Sequence, residues 1–303
     1  MTSPLVISVV LNTNHCEDTL QCLTSLNQNT YENHKIILLD NASIDGTVDA
    51  VRSLLPDVQI IKLQKNLGYA GNNNVGIQVA MEQGADWVFV LNEDTILSPD
   101  CISHLVSVGE SDPTIGIVGP MVYHHNEPDV IQSAGGLMDK YYRGWHLGQD
   151  EKDQGQFQQP HQVEWISGCG IMVRRAVIDQ IGGIDERFFY YVEEFEWCVR
   201  ARKTGWQIIH VPQAKLWHKG VQRNNQPKPS VTYYATRNQL LLLLKHRATP
   251  IVWIVTLSQF LRTLTSWTIK PKWRSKHEHR NAMWHGIVDF LHHRWGQMAQ
   301  KIG

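Results

Sequence analysis

Three carboxylates, Glu193, Glu194 and Glu196, lie within four residues of a segment that is otherwise rich in aromatic side chains. If this segment is helical, Glu193 and Glu196 share one side of the helix, and Glu196 can pair with Arg200 one turn later. An apolar surround raises the pKa of a carboxyl group toward the range that suits a general base. A plain acidic helix N-terminus, favoured by the helix dipole, would explain the charges but not the aromatic residues around them.

A second acidic group, Asn92-Glu93-Asp94, directly follows an apolar run and could hold a divalent cation. Mg²⁺ or Mn²⁺ is typically bound by one or two carboxylates together with the phosphates of a substrate. Asp94, with a contact from Asn92, fits that chemistry. The alternative is that Asp94 only caps the turn that follows the strand.

The histidines divide into one candidate ligand and several surface residues. His218 follows a short predicted strand, and it is either a metal ligand or a structural hydrogen-bonding residue. The pairs His124-His125 and His292-His293, and the group His277-Glu278-His279, lack the partner spacing of a zinc site. We therefore expect these three groups at the surface.

A glycine-rich segment spans residues 66–76 with the sequence NLGYAGNNNVG. It is neither the Gly-x-Gly-x-x-Gly pattern of dinucleotide-binding proteins nor a phosphate loop, because no Gly-Lys-Ser/Thr follows. This argues against a dinucleotide oxidoreductase and a P-loop ATPase. The glycines could still bring the backbone close to a nucleotide.

The elements that must position these residues alternate in the first 120 residues between apolar strands and amphipathic helices. Continuous apolar runs predict strands buried on both faces, and a three-to-four-residue spacing of leucines and valines predicts the helices. Ser98-Pro99-Asp100 is a helix start with an N-cap and a proline at the first helical position. The predicted strands are 5–11, 35–40, 58–63, 87–91 and 115–118, and the predicted helices between them are 17–29, 46–55 (with Val48, Val51, Leu54 and Leu55 inward) and 70–83.

Strand–helix–strand repetition with short loops predicts a mostly parallel sheet covered on both faces, which is an α/β fold. Ligands bind such sheets beyond the carboxyl ends of the strands. Four of these ends carry Asn and Asp side chains, and the alternative is that these residues only mark turns. Beyond them, 120–165 reads as irregular segments or short hairpins, 165–174 as a strand, and 175–181, 192–204 and about 232–244 as helices.

Composition narrows the class of protein further. The 303 residues carry a formal net charge of −1, but residues 245–303 hold ten Lys and Arg against two acids, a net of +8, and five of the 11 Trp. Residues 1–244 therefore carry a net of −9. The five cysteines are scattered and the N-terminus has no basic signal region, so we expect a reducing, cytoplasmic location. The longest apolar run, 251–261, is too short for a membrane-spanning helix.

The motifs, taken in order, resemble those of family 2 inverting glycosyltransferases with the GT-A fold, in particular the bacterial rhamnosyltransferase-like branch. The resemblance covers about residues 5–245, and residues 286–296 are also similar to the tail of this branch. The motifs that carry it are VVLN at 9–12, LDNASxDG at 39–46, NxGYAGxNxxG at 66–76, LNxDT at 91–95, GGxDExFF at 182–189, EExE at 193–196, His218 and Arg237-Asn238.

The resemblance implies a role for each matching position. Glu194 would be the catalytic base, with Glu193 as its neighbour in the family's acidic pair. Asp94 and His218 would bind Mg²⁺ or Mn²⁺. The donor nucleotide would lie against Asn12, Asp40, Asn41, Asp45, Asn66, Gly68, Asn73, Asn92 and Glu93, and the acceptor or diphosphate against Trp165, Gly168, Glu196 and Arg237.

The implied reaction is transfer of a sugar from a nucleotide-diphosphate donor to a hydroxyl of a glycan or lipid-linked glycan, with inversion. The branch favours dTDP-L-rhamnose as donor, and a UDP-sugar is the alternative. Because a fold alone does not give activity, the rival interpretation is a nucleotide-sugar-binding or scaffold protein with weak catalysis. A nucleotidyltransferase would need a basic, glycine-rich signature near the N-terminus, which is absent here.

We expect a catalytic domain at 1–244, with a nucleotide-binding half at 1–120 and an acceptor-side half at 121–244, followed by a helical extension at 245–303. The basic, Trp-containing extension is typical of a segment that attaches to the anionic face of a membrane. The alternative is a helical cap that packs on the enzyme or on a second copy in a homodimer. Nucleic acid is disfavoured as a partner, because no recognition motif accompanies the basic residues.

Overall fold

A computed structural model describes residues 3–220 and 227–299. The first part of the chain alternates strands and helices as the hydrophobic pattern predicts. Its elements in chain order are β1 (Val6–Asn12), α1 (Cys16–Asn27), β2 (His34–Asp40), α2 (Thr47–Leu54), β3 (Gln59–Lys62), α3 (Gly68–Glu82), β4 (Trp87–Asn92), β5 (Thr95–Leu97) and α4 (Cys101–Glu110).

The second part is richer in short strands, as expected for 120–165, and then returns to helices. Its elements are β6 (Ile115–His124), β7 (Glu127–Ser133), β8 (Gly136–Met138), β9 (Gly144–His146), β10 (His161–Gln162), β11 (Gly170–Arg174), α5 (Arg175–Ile181), α6 (Glu193–Lys203), β12 (Gln207–His218), α7 (Pro229–Lys245), α8 (Pro250–Ile269) and, after a 3₁₀ turn at Pro271–Lys276, α9 (His277–Leu291).

One central sheet carries the site, with the strand order β10-β12-β6-β11-β4-β1-β2-β3. Strands β3, β2, β1 and β4 are parallel, and so are β6 and β12, whereas β11 is antiparallel between them. The predicted mostly parallel α/β sheet is thus confirmed. Because these parallel strands run in the same direction, their carboxyl ends lie at one edge of the sheet.

Both faces of the sheet are buried, which is why its strands read as continuous apolar runs. Alternate residues of β1 enter two different cores: Ile7 and Val9 pack on one face, while Val6 and Val10 pack on the other. Helices α3 and α6 cover the first face, and α1 and α4 cover the second. The strand ends are consequently rigid supports for whatever side chains follow them.

Four local predictions are wrong. Helix α4 begins at Cys101, because β5 pairs with β12 and Ser98 N–H still donates to Lys215 O. Leu54 is 65% exposed, since the buried stripe of α2 is filled by Val48 and Val51. The strand expected from residue 165 begins only at Gly170, after a turn closed by the Gly170 N–H and Ser167 O.

His124 is the fourth, because it is buried rather than at the surface. Strand β6 continues beyond Val118 and carries the imidazole beneath the loop at Asp150, whose carboxylate lies 3.1 Å from Nε2. The neighbouring His125 is exposed, as expected.

The C-terminal extension is helical, as predicted, and α9 packs back on α7 across the predicted boundary at residue 244. Gly286 allows the close approach, since a Cβ there would lie 2.7 Å from Tyr233 O. Helix α8, by contrast, leaves much of its length exposed. Within 3–220 and 227–299, no helix is long and apolar enough to cross a membrane.

Candidate active site

A cleft of about 400 Å³ opens where the carboxyl ends of β1, β2 and β4 meet. Seven of its 13 lining residues lie at the ends of these strands or in the loops that follow them, as the strand-end argument predicts, and the other six come from residues 66–72 and 189–190. Its lining residues are Leu11, Thr13, His15, Asn41, Asn66, Gly68, Tyr69, Asn72, Asn92, Glu93, Asp94, Phe189 and Tyr190.

Three predicted donor-binding residues, Asn12, Asp40 and Asp45, are not part of this lining but contact, precede or belong to the loop at 41–46. Asn12 donates to Ser43 Oγ at 2.9 Å, and its Oδ1 accepts from Thr19 Oγ1 at 2.9 Å. Asp45 accepts from the Cys16 N–H at 2.8 Å and so joins the loop to the start of α1. Asp40 is buried at the end of β2, directly before Asn41, and its contact with a nucleotide base stays a prediction.

The glycine-rich segment forms the first turns of α3, and its asparagines bond the backbone. Asn66 Oδ1 accepts from the Gly68 N–H at 2.8 Å, and Asn72 Oδ1 accepts from the Leu67 N–H at 2.9 Å. Asn73 is buried and donates to Tyr69 O, which makes it a supporting residue rather than part of the lining. These bonds fix the N-terminal turn of the helix beside the cleft.

Asp94 and His218 meet at one end of the cleft, with Oδ1 of the aspartate 3.2 Å from Nε2 of the histidine. His218 Nδ1 lies 3.1 Å from Gln132 Oε1, an acceptor, so this contact orients the ring with Nε2 toward the carboxylate. A second partner that orients a ligating histidine in this way is common at metal sites. Asn92 Nδ2 lies 3.4 Å from the same Nε2.

Two observations show that a cation fits between these groups. Asp94 Oδ1 is buried and makes no hydrogen bond to the described residues. A Cβ on Gly220 would overlap Asp94 Oδ2 and lie 3.3 Å from His218 Nε2, so glycine leaves this space open. The described residues contain no cluster of three or more His, Cys, Asp or Glu side chains, so the protein alone would supply only part of a coordination shell.

Glu193 and Glu194 begin α6 on the other side of Tyr69. Burial raises the pKa of both carboxyl groups above the ordinary glutamate value, and the neighbouring charge of Glu194 raises that of Glu193 further. Glu193 is 3% exposed and its Oε2 has no partner among the described residues, whereas Glu194 is half-buried. Of the two, Glu194 is therefore the more exposed, although neither glutamate is among the lining residues of the cleft.

Gly168 and Tyr69 connect this pair to the cleft. The Tyr69 hydroxyl donates to Gly168 O at 2.6 Å, and a Cβ on Gly168 would lie 3.5 Å from Glu194 Cδ. Tyr69 itself lines the cleft. The predicted site residue Gly168 thus lies beside the candidate base and bonds the cleft residue Tyr69.

Three residues predicted to contact the acceptor or diphosphate do not reach the cleft. Glu196 is fully buried and pairs with Arg200 at 2.9 Å, Lys245 at 2.9 Å and His246 at 3.1 Å, which hold its pKa below the ordinary value despite burial. Trp165 is buried under the β8–β9 hairpin, where its indole N–H donates to Leu137 O. Arg237 is also fully buried in α7.

Sequence reasoning missed Phe189 and Tyr190, which line the cleft, and the backbone strain beside them. Phe189, Tyr191 and Val192 have φ angles of 64°, 67° and 75°. Such left-handed conformations cost about 1–3 kcal/mol each outside glycine and cluster at functional sites. The aromatic run at 188–191 was the available signal, but no local pattern predicts positive φ at a β-branched valine.

The family described as "Glycosyl transferase family 2" matches residues 6–182. An N-acetylglucosaminyl-diphospho-decaprenol L-rhamnosyltransferase of Mycobacterium tuberculosis is 28% identical over 80% of this chain and 86% of its own length. A dTDP-rhamnosyl transferase RfbF of Shigella flexneri is 26% identical over 84% and 87%.

A solved structure extends the likeness to the fold. The mannosyltransferase PcManGT of Pyrobaculum calidifontis, in complex with GDP-Man and Mn²⁺, superposes with a TM-score of 0.59 over 96% of this chain and 88% of that chain, at 14% identity. The expected GT-A fold is confirmed by this likeness.

The contact between Gly68 and Phe189 gives a prediction for stability. A Cβ on Gly68 would overlap the Phe189 carbonyl and ring, whereas one on Gly84, at the other end of α3, meets nothing within 4 Å. Both glycines have positive φ, so alanine at either site carries a similar backbone cost of about 1–2 kcal/mol. Gly68→Ala should lose about 1–3 kcal/mol more than Gly84→Ala in denaturant unfolding, because of overpacking. Equal losses would contradict the contact.

Proposed function

The chain belongs to glycosyl transferase family 2, in its rhamnosyltransferase-like branch, and we propose that it moves L-rhamnose from dTDP-L-rhamnose to a hydroxyl of a lipid-linked glycan. One observation carries the proposal. The Asp94–His218 pair lies at the cleft, and a carboxyl pair with raised pKa lies behind Gly168, whose carbonyl accepts from the cleft residue Tyr69. Inverting transfer needs these two features: charge stabilisation at the leaving group and a base at the attacking hydroxyl.

The choice of donor and acceptor rests on the relatives. Both curated relatives are named as rhamnosyltransferases, and the name of one specifies a diphospho-decaprenol acceptor. A dTDP-sugar is therefore the favoured donor, with a UDP-sugar as the alternative. The acceptor is a glycan intermediate of polysaccharide synthesis that carries a lipid diphosphate.

Donor binding follows from the cleft. The amides of Asn41, Asn66 and Asn92 offer neutral donors and acceptors to the base, ribose and phosphates, while Asp40 lies at the base of the 41–46 loop. Asp94 and His218 would hold Mg²⁺ or Mn²⁺, with further ligands from the diphosphate. When bound, the cation supplies positive charge against the diphosphate leaving group.

Glu194 is the proposed base. Its carboxylate takes the proton from the acceptor hydroxyl as that oxygen attacks the anomeric carbon from the face opposite the diphosphate. The C–O bond to the acceptor forms while the bond to the diphosphate breaks, and the configuration inverts in one displacement. Glu193 is sealed behind it, and burial together with the charge of Glu194 raises the pKa of Glu193.

A peripheral membrane position would bring this site to a lipid-linked acceptor. On α8, the exposed side chains Ile251, Ile254, Leu257 and Leu261 recur at three- and four-residue spacing and form one apolar face. Beyond its C-terminus, Lys270, Lys272 and Arg274 are exposed as well. An apolar face continued by a basic cluster complements an anionic bilayer surface, and we propose that surface as the partner of α8.

The donor proposal predicts metal-dependent stabilisation by dTDP-L-rhamnose. A ligand that binds only the folded state raises its melting temperature according to concentration and affinity. With Mn²⁺ or Mg²⁺, dTDP-L-rhamnose should raise the Tm of the wild-type protein more than UDP-glucose or GDP-mannose does. Asp94→Ala should remove the metal-dependent part of this shift.

The exposed Asp57 provides the control for the metal prediction. Asp57→Ala changes the net charge equally but lies outside the cleft, so its metal-dependent shift should match that of the wild type. An Asp94→Ala protein that keeps the full metal dependence would exclude Asp94 from the site. A larger Tm shift with another donor would overturn the choice of rhamnose while leaving the fold of the site intact.

The assignment of Glu194 predicts a loss of turnover without a loss of donor affinity. Glu194→Gln should lower kcat by about 10²–10⁴-fold, since a positioned base contributes that much. Its Kd for the donor should stay near the wild-type value. The wild-type rate should fall as pH drops through the pKa of Glu194, because only the ionised carboxylate accepts a proton, and this limb should lie above the ordinary glutamate range.

Glu82→Gln on the exposed surface of α3 is the matched control, and it should leave rate and pH profile unchanged. Wild-type turnover by Glu194→Gln would remove Glu194 as the base. A wild-type protein that binds the donor but transfers no sugar to any lipid-linked acceptor would favour the scaffold interpretation instead.

The docking proposal predicts salt-sensitive flotation with vesicles that contain phosphatidylglycerol, and weak flotation with pure phosphatidylcholine. Leu257→Asp with Leu261→Asp should abolish flotation, because both the apolar face and the charge match are lost. The control is Gln28→Asp with Ser53→Asp, two exposed positions on the catalytic body with the same charge change. Binding that survives the first pair, or a dimer that the first pair dissociates, would overturn bilayer docking.

A further inference from the structure

The segment 187–192 holds an unfavourable backbone conformation immediately before the candidate base. Phe189, Tyr191 and Val192 lie in the left-handed region, and Val192 is also the N-cap of α6. A β-branched residue in that region is a genuine outlier that persists only when its surroundings over-determine it. The contacts that hold this segment therefore decide where α6, and with it Glu194, begins.

Asn238 supplies the first of these contacts from the middle of α7. Its side chain is fully buried, and its amide nitrogen lies 2.8 Å from Phe188 O, 2.9 Å from Tyr190 O and 2.7 Å from Tyr191 O. The carbonyls of Phe188, Tyr190 and Tyr191 thus converge on one side-chain NH₂ group. Phe188 O also accepts from the Tyr190 N–H at 2.7 Å, so loss of the amide would chiefly deprive the Tyr190 and Tyr191 carbonyls of a donor, which is unfavourable.

Arg237 supplies the second contact to the segment and also orients the Asn238 amide. Its Nε donates to Asn238 Oδ1 at 3.1 Å, which fixes the amide so that its NH₂ group faces the segment. Its Nη2 donates to Phe188 O at 3.0 Å, and its Nη1 donates to Gly296 O at 2.7 Å. One guanidinium therefore joins the strained segment to the end of the C-terminal extension.

We infer that Arg237 and Asn238 are positioning residues for the transfer reaction, and that residues 295–296 complete their clamp on segment 187–192. The inference rests on the proposed role of Glu194 as the base. It assigns the C-terminal extension a part in forming the active site, in addition to any part in docking.

The segment is placed to act on donor and base together. At one end, Phe189 packs on Gly68 and lines the donor cleft with Tyr190. At the other, Val192 O accepts the Glu196 N–H and so starts the hydrogen-bond ladder of α6. A shift of the segment would move the cleft wall and Glu194 relative to each other, and misplacement by about 1 Å can cost about 100-fold in rate.

The extension reaches the clamp through α9. The Tyr233 hydroxyl of α7 donates to Asp289 at 2.6 Å, and Trp295 packs against the same core that holds α6. The Gly296 N–H lies 3.4 Å from Arg187 O, at the start of the segment. The polypeptide after α9 is thus held between the guanidinium and the segment that it supports.

Steady-state kinetics over a pH range, with dTDP-L-rhamnose and a lipid-linked acceptor, test the inference. Asn238→Ala should lower kcat by about 100-fold, since the base loses its position. It should also raise the donor KM. Its acid limb should move to lower pH, because a relaxed segment admits water to Glu194 and relieves the burial that raises its pKa.

Two further variants test the other parts of the clamp. Arg237→Lys keeps the charge but not the forked donor group, so it should show a smaller loss in the same direction. Trp295→Ala should reproduce both the loss of kcat and the shift of the acid limb, because it loosens the support at Gly296.

Leu243→Ala is the control for a merely structural role. Leu243 is fully buried in the same helix, so its truncation destabilises the fold without removing a contact to the segment. It should lower the Tm while kcat and the pH profile per folded molecule stay at the wild-type values. If Asn238→Ala and Arg237→Lys behave in the same way, the clamp is wrong. If the wild-type protein transfers no sugar, the proposed function fails instead, so the two failures are distinguishable.

Discussion

The approach of Phe189 to Gly68 is the contact on which the site depends. It joins the nucleotide-side helix α3 to the segment that precedes α6, and it requires a residue without a Cβ at position 68. Gly68 also needs its left-handed φ of 75° to begin α3 directly after Asn66. A single glycine thus satisfies a steric and a conformational demand at once, and the cleft wall formed by Phe189 and Tyr190 follows from it.

The three glutamates in the first turn of α6 show how environment divides one kind of side chain into different roles. Glu196 is paired with Arg200 and Lys245 and lies 3.1 Å from His246, so it anchors α6 to the end of α7 through buried ion pairs. Glu193 is buried with an Oε2 that has no partner among the described residues, and Glu194 is partly exposed beside Gly168. Buried ion pairs contribute little net stability, but breaking one is costly, which suits Glu196 to a fixed architectural role.

Hydrophobic period and composition predicted the parallel sheet and the polar strand ends, because they carry that information locally. The grouping of Asp94 with His218 came from the resemblance to the family. The family motifs grouped Glu196 and Arg237 with the site, but both side chains are buried away from the cleft. Their position depends on partners from distant segments, which local sequence does not show. Sequence reasoning also failed for Leu54 and His124, where the extent of one strand or the width of one buried stripe decided exposure. Positive φ at Val192 could not be predicted, since only tertiary contacts such as those of Asn238 stabilise it.

The two long helices of the C-terminal extension differ in what they contact: α9 packs on the catalytic body, and α8 is exposed beside the basic residues. Helix α9 turns Ala282, Met283 and Gly286 inward against α7, so this part of the extension belongs to the catalytic unit. Helix α8 leaves its leucines and isoleucines outside, next to the exposed lysines at 270 and 272. Helix α7 bonds segment 187–192 through Asn238 and bonds α9 through Tyr233. A displacement of α8 on binding would therefore reach segment 187–192 through packed helices rather than through a flexible linker. The buried Arg237 of α7 bonds both segment 187–192 and the end of the extension. Docking and catalysis would therefore share α7 as their common support.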